Sequence, residues 1–397
     1  MTFRGPEIRI KLATDSIEIV TDKPIEFGTK DFTISHPQII PHIQDGQHIV
    51  INDGQFSFIF KKEKSKTFLV PLNSGTLMNT KSMNIPGGDF PLPAMVDNDI
   101  VGVKLASKMD ADFIALSFVR SAADIEALRG HMKKHGAVSK VVSKIETKKA
   151  IDNLDEITAA SDAIMIGRGD LGVEIPIEEV PFYQKKLIRN SFERGVPVIT
   201  ATQMLESMIT NPYPTRAEVS DIANAAYDLT DAVMLSAESA SGSYPYLAVK
   251  LLAKTVSFHE KIPFKDIRLL HNFHIRDLEE LMCDAAYNVY HKSDSHNSIS
   301  AFVVFSNTGK TARNISRYRA QIPIYAVTFS EHVANSLTMN YGIYPVVMPK
   351  PNGHNGQVRS EDIKRTIEHL ADKKLLKKGS HVLVVHGNSN ALRIMTV

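Results

Sequence analysis

Five times between about residues 95 and 260, a short apolar run ends in a polar cluster and a charged, helix-like stretch follows. The runs are Phe113-Ile114-Ala115-Leu116, Val141-Val142, Ala163-Ile164-Met165-Ile166, Val196-Pro197-Val198-Ile199 and Ala232-Val233-Met234-Leu235. Unbroken apolar runs of this kind read as strands covered on both faces, and their alternation with helices implies parallel pairing. Spacings of roughly 20 to 35 residues between them suit a (β/α) barrel better than isolated βαβ units.

The flanking sequence is different in kind. Before the repeats, alternating segments such as Ile17-Glu18-Ile19-Val20 and Phe56-Ser57-Phe58-Ile59-Phe60 are punctuated by Asp45-Gly46, Asp53-Gly54 and Gly87-Gly88, the pattern of a small all-β unit. After them, Ala301-Phe302-Val303-Val304-Phe305, Ile324-Tyr325-Ala326-Val327 and Val382-Leu383-Val384-Val385 alternate with helix-like stretches, as in a smaller open α/β domain. The expected organisation is a barrel from residues 1–6 and 93–261, a β insert at 7–92 and an α/β domain at 262–397. A chain of 397 residues with 43% hydrophobic and 23% charged residues has the composition of folded globular protein. Its 46 basic and 44 acidic residues nearly cancel, so no whole-molecule field favours a nucleic acid polymer or an anionic membrane. The single cysteine, Cys283, excludes an intrachain disulfide, and the N-terminus lacks a signal-peptide layout, so a cytoplasmic location is expected.

In a parallel barrel the residues just after each strand share one rim, where barrel enzymes place their chemistry. The clusters there are Ser117-Phe118-Val119-Arg120, Ser143-Lys144-Ile145-Glu146, Gly167-Arg168-Gly169-Asp170, Thr200-Ala201-Thr202-Gln203 and Ser236-Ala237-Glu238. Any one alone reads as a helix cap or turn; five together point to one cleft. Lys144 and Glu146 lie two apart on an extended segment and face the same side. A salt bridge satisfies that pair, but Asp170 from the next strand adds a second carboxylate, which makes a hard-cation site with an ammonium beside it. Magnesium suits it, because it takes few protein carboxylates and leaves positions for water and substrate oxygens. Gly167 and Gly169 let the backbone turn and present N–H groups beside Asp170, an anion seat.

In the third unit Gly309-Lys310-Thr311 invites a P-loop reading, which fails because the glycine required five positions earlier is Val304. A hydroxyl-rich turn remains, Ser306, Thr308 and Thr311, readable as a phosphate seat or as ordinary N-capping. His271 and His274 near Asp277 lack a third ligand at a recognisable spacing and read as surface residues.

The runs "SKIE", "GRGDLGVEIP", "PVITATQMLESMITNPYPTRAEVSDIANA" and the opening "RGPEIR" resemble the pyruvate kinase family across residues 4 to 397. The resemblance implies a (β/α)8 TIM barrel interrupted by a β-barrel lid, with a C-terminal regulatory α/β domain, assembled as a homotetramer. It implies transfer of the phosphoryl group of phosphoenolpyruvate to ADP, giving pyruvate and ATP. Glu146 and Asp170 would then hold Mg²⁺ (or Mn²⁺), and Lys144 would stabilise charge on the phosphoryl group and the enolate. The backbone of Arg168, Gly169 and Asp170 would seat the substrate carboxylate, and Thr202 would lie near the enolate carbon. Arg9 and Lys81 match nucleotide-phosphate contacts from the lid side, and Glu7 matches the glutamate of K⁺-dependent members. Ser306, Thr308 and Thr311 match a loop for a sugar-phosphate or nucleotide effector, although "HGNSNALR" is shorter than the family's companion loop. Met1-Thr2-Phe3-Arg4 corresponds to the end of the family's third barrel strand, so the first strands are expected to be missing, and Thr2-Phe3 stand where the family has an Asp-Thr pair used for potassium. Two other readings remain at this stage: a metal-dependent lyase or aldolase acting on pyruvate enolates, and an incomplete or degenerate homologue serving as an interaction or regulatory chain.

Overall fold

The computed structural model describes residues 1–261, 273–293, 298–350, 358–387 and 391–397. Two compact units result: Met1–Leu187 with Thr200–Gln203, and Ile188–Ile199 with Met204–Val397. The expected boundary near residue 262, His271 and the Asn388–Asn390 part of the "HGNSNALR" loop lie outside the described residues.

The apolar runs form the expected sheet, in the order Thr2–Phe3, Phe113–Leu116, Lys140–Ile145, Ala163–Gly167, Val198–Ala201, Ala232–Met234. The first three pairings are parallel, with Thr2 opposite Ala115, Ile114 opposite Val141 and Val142 opposite Ala163. Ala163–Gly167 is buried at every residue, which is why its sequence shows no polar alternation. Helices Asp97–Lys108 and Ala122–His135 make the crossovers, the second ending on Gly136 in the left-handed conformation that glycine adopts without a Cβ clash.

Within the first unit the β insert is an antiparallel assembly. A five-stranded sheet runs Met83–Asn84, His48–Ile51, Phe56–Glu63, Lys66–Pro71, Ile25–Phe27, and two ribbons pair Ile10–Leu12 with Phe32–Ile34 and Ser16–Ile19 with Gly75–Met78. Alternation places Phe56, Phe58 and Phe60 on one face, and they close a core with Phe27 and Phe32. Phe27 meets Phe32 and Phe60 edge-on at centroid distances of 5.4 and 6.2 Å.

In the second unit a five-stranded sheet runs Ile343–Val347, Ile324–Thr328, Ile299–Phe305, His381–His386, Ala391–Thr396. Only the last pairing is antiparallel, and buried clusters cover both faces. The two edge strands extend beyond the three apolar runs read from the sequence. No helix among the described residues is long and apolar enough to cross a membrane.

Candidate active site

Lys140–Ile145 ends one residue before Glu146, and Ala163–Gly167 passes directly into the short helix Arg168–Glu174, which carries Asp170 in its first turn. Parallel register therefore brings both carboxylates to one end of adjacent strands. Glu146 is 1% exposed. One of its oxygens takes the Lys144 ammonium at 2.6 Å and the other accepts the Phe118 N–H at 2.9 Å. Lys144 Nζ also donates to Ser117 Oγ at 3.0 Å. The Asp170 carboxyl is raised to about 7, by burial first and then by the Glu146 charge, with Lys144 opposing and Asp53 adding to the rise. One ammonium thus faces a crowded acidic site in low dielectric.

That electrostatic imbalance is the test of a metal here. Among the described residues no group of three or more His, Cys, Asp or Glu side chains is placed to hold an ion. Two adjacent carboxylates, one buried and one half-buried, nevertheless match the donor set that Mg²⁺ uses when substrate oxygens and water fill its remaining positions. Glu146 and Asp170 therefore fit a divalent cation. At the positions the resemblance assigns to potassium, Phe3 has no oxygen in its side chain and is buried, and Glu7 is engaged by Arg9 through two contacts of 2.8 and 3.0 Å.

Of the other expected residues, Arg168, Gly169 and Thr202 are joined to one another at these strand ends. Gly169 donates its N–H to Thr202 Oγ1 at 3.0 Å, and Thr202 Oγ1 donates to Ala201 O at 2.6 Å. The Arg168 side chain, 7% exposed, clamps the end of Val198–Ala201 through Ala201 O at 3.1 Å and Thr202 O at 2.5 Å, with Gln184 Oε1 at 3.2 Å. Phe118, Thr202 and Gln203 all have positive φ, at 54°, 67° and 54°. Left-handed backbone at non-glycine residues costs free energy and concentrates where a site requires it. On the lid side Arg9 bridges to Ser82, and Ile10 N donates to Lys81 O at 3.0 Å, so Arg9 and Lys81 sit on neighbouring segments.

Ser306, Thr308 and Thr311 belong to the second unit. There Thr311 Oγ1 donates to Glu279 Oε1 at 2.6 Å, and Lys310 Nζ meets Asp277 at 2.6 Å and Glu279 at 3.2 Å. Two carboxylates thus occupy the hydroxyl-rich turn, an arrangement that sequence spacing alone did not reveal. His274 is exposed.

Two acids escaped the sequence reading. Asp53 looked like turn punctuation before Gly54; its φ is 53°, it accepts from Ser82 Oγ at 3.2 Å, and its charge reaches Asp170. Glu174 closes the helix that carries Asp170. Burial raises its carboxyl to about 7, with the nearby Asn84 side chain and Lys148 N–H opposing the rise.

Parallel strands that deliver two acids and a lysine to one rim, beside an inserted β domain, define a barrel protein, a class in which the C-terminal ends of the strands are where chemistry is placed. Family models give the same answer in finer terms: the pyruvate kinase barrel domain matches residues 1–249 and the pyruvate kinase alpha/beta domain matches residues 284–395. The chain belongs to the pyruvate kinase family. A pyruvate kinase of Sporosarcina psychrophila is 36% identical over 92% of this chain and 64% of its own length. One from Borreliella burgdorferi is 35% identical over 98% of this chain and 81% of its own. The crystal structure of a pyruvate kinase from Cryptosporidium parvum superposes with a TM-score of 0.91 at 32% identity, covering 100% of this chain and 83% of that one. The chain therefore spans just under two thirds of the Sporosarcina relative.

Proposed function

We propose that this chain transfers the phosphoryl group of phosphoenolpyruvate to ADP. The bond from phosphorus to the enol oxygen breaks, a bond to a terminal ADP oxygen forms, and the enolate carbon then takes a proton to give pyruvate. The observation that carries this reading is the Lys144–Glu146–Asp170 cluster on adjacent strand ends, with Glu146 buried and the other two half-buried. Phosphoryl transfer needs positioning and charge neutralisation more than covalent chemistry, and that cluster supplies both.

Glu146 and Asp170 would hold Mg²⁺ or Mn²⁺, which when bound neutralises charge on enolate and phosphate oxygens. Lys144, already steered by Ser117, places its ammonium where charge develops on the phosphoryl group. The backbone of Arg168, Gly169 and Asp170 seats the donor's carboxylate once Gly169 N–H exchanges Thr202 for it. Thr202 then offers its hydroxyl near the carbon to be protonated. Arg9 and Lys81 meet the nucleotide phosphates from the lid, and closure of the lid excludes water and so favours transfer over hydrolysis. A pyruvate-enolate lyase would leave Arg9 and Lys81 without a role. A phosphorylated effector at Ser306, Thr308 and Thr311 would have to displace Asp277 and Glu279. A homotetramer and a cytoplasmic location belong to this reading through the family resemblance.

The test is ATP formation from phosphoenolpyruvate and ADP at varied Mg²⁺, with Glu146→Gln and Asp170→Asn. Each variant should lose activity by about 10² or more and need more Mg²⁺, since each removes a hard anionic ligand from a metal with few of them. Full activity with unchanged Mg²⁺ dependence in either variant would remove that residue from the site.

A further inference from the structure

Within the second unit a cavity of about 10 Å³ is lined by Arg313, Arg317, Arg319, Asp231 and Asn340, among others. Arg313 lies in the helix Lys310–Ser316, Arg317 directly follows that helix, and Arg319 lies two residues further on, with φ 52°. Asn340 comes after the helix Glu331–Leu337. One short stretch of chain thus brings several guanidinium groups to one small space.

The neighbouring acids are committed to some of these cations and not to Arg317. Both Asp231 oxygens meet Arg319, each at 2.9 Å. Glu280 lies 3.7 Å from Arg317 Nη2, beyond hydrogen-bond reach, and is held by Arg276 at 2.7 and 2.9 Å. Yet Arg317 is 1% exposed. Its Nη2 reaches Tyr318 Oη at 3.4 Å, and the Phe273 and Tyr318 rings lie 5.2 and 5.3 Å from its Cζ. Rings beside a cation offset part of its desolvation, but they do not supply lone-pair acceptors for its N–H donors. Among the described residues, Arg317 Nε and Nη1 have no hydrogen-bond partner, and neither do Arg319 Nε and Asn340 Oδ1. A dry guanidinium with bare donors is costly, so this arrangement points to a ligand that accepts hydrogen bonds and carries negative charge.

Size narrows the choice. A volume of about 10 Å³ is room for about one water-sized group, which excludes phosphate esters and carboxylic acids. A monatomic halide fits, and so does a water molecule. Charge decides between them, because water leaves the Arg317 charge unneutralised and a halide does not.

We propose that this cavity is a binding site for a monatomic anion of the chloride class, held by the bare N–H donors of Arg317 and Arg319. Asn340 takes part by turning its NH2 inward, since the two ends of a primary amide have nearly the same shape. An anion bound there neutralises Arg317 at the end of the helix Lys310–Ser316 and stabilises the second unit by mass action. The proposal is independent of the phosphotransfer reading.

The experiment follows the melting temperature of the full chain as sodium chloride replaces sodium gluconate, whose anion is too large for the cavity, at constant ionic strength. The temperature should rise by about 2 °C or more and then level off, as saturable binding requires and a general salt effect does not. Arg317→Met keeps most of the side-chain volume and removes the bare donors, so its melting should not respond to chloride. A poorly folded variant would behave the same way, so Asn340→Asp is the second arm. It changes an amide into a carboxylate of nearly the same shape and fixes a negative charge beside Arg317. In gluconate it should melt above wild type, and chloride should add nothing. In crystals of the wild type soaked in sodium bromide, an anomalous difference peak should lie within hydrogen-bond reach of Arg317. Wild-type melting that ignores chloride overturns the proposal, and a bromide peak in such a protein would be binding at crystal concentration only. An Asn340→Asp variant that melts below wild type in gluconate, or a cavity without a bromide peak, overturns it as well and assigns the space to water.

Discussion

At the scale of single residues, Gly167 decides how close Glu146 can come to its neighbours. A Cβ at Gly167 would lie 2.6 Å from Glu146 Cγ and 2.7 Å from Oε1, inside any real contact. Its φ of −85° is open to any residue, so alanine would act through Glu146 and not through backbone strain. Gly167→Ala should push the carboxylate off the Lys144 ammonium and the Phe118 N–H, lowering kcat/KM by about 10² and weakening Mg²⁺ binding, so that more Mg²⁺ is needed. A variant with wild-type Mg²⁺ titration would show that the strand end absorbs the methyl group. The sequence announced these glycines for a different reason, freedom to turn and to expose N–H groups. Glu146, Asp170 and Lys144 were legible because strand periodicity and parallel topology fix which side they face. The Gly169 bond to Thr202 and the Arg168 clamp were not, because they depend on how close the next strand packs, which no local pattern encodes. Asp53 and Glu174 stayed hidden because an acid before a glycine, or at a helix end, has an ordinary local explanation.

At the scale of elements, the lid shows what periodicity carries and what it omits. The alternation of Phe56 to Phe60 predicts a half-buried strand and gives the correct inward face. It does not predict the strand order or the two separate ribbons, because those rest on contacts between residues far apart in sequence, such as Ile10 with Ile34 and Ser16 with Met78. Phe60 is fully buried in that core. Phe60→Ala should cost about 3–5 kcal/mol through lost burial and a residual cavity. The cost should fall on the lid: exchange protection should drop across residues 56–71 and persist across Lys140–Ile145. Equal loss in both segments would mean that the lid has no core of its own. In the second unit the strand Ile343–Val347 escaped notice because Pro345 interrupts its apolar run; proline is tolerated there because this strand is a sheet edge, where a missing N–H breaks no interior ladder.

At the scale of the whole molecule, the second unit joins chain from before and after residue 262, and one buried ion pair explains how. Asp231 follows the helix Arg216–Tyr227, and Arg319 follows the helix Lys310–Ser316 of the C-terminal sheet; their side chains are 3% and 4% exposed. The guanidinium meets the two carboxylate oxygens at 2.9 Å each and also donates to Leu229 O at 2.8 Å. Asp231 in addition accepts the N–H groups of Val198 and Tyr341, each at 3.0 Å. Four stretches of chain, near 198, 230, 319 and 341, therefore converge on one carboxylate. Removing either member leaves its partner charged and dry, but the losses are unequal. Asp231→Ala strands the Arg319 fork and two backbone donors, so it should destabilise by about 3–5 kcal/mol. Arg319→Met leaves Asp231 its two N–H partners and fills much of the vacated volume, so it should cost less. Calorimetry on both variants provides the check, with Asp231→Ala expected to have the lower melting temperature and the transition of the second unit expected to remain single. The opposite ranking, or separate melting of residues 204–259 and 298–397 in the wild type, would show that the carboxylate does not join these stretches into one cooperative body.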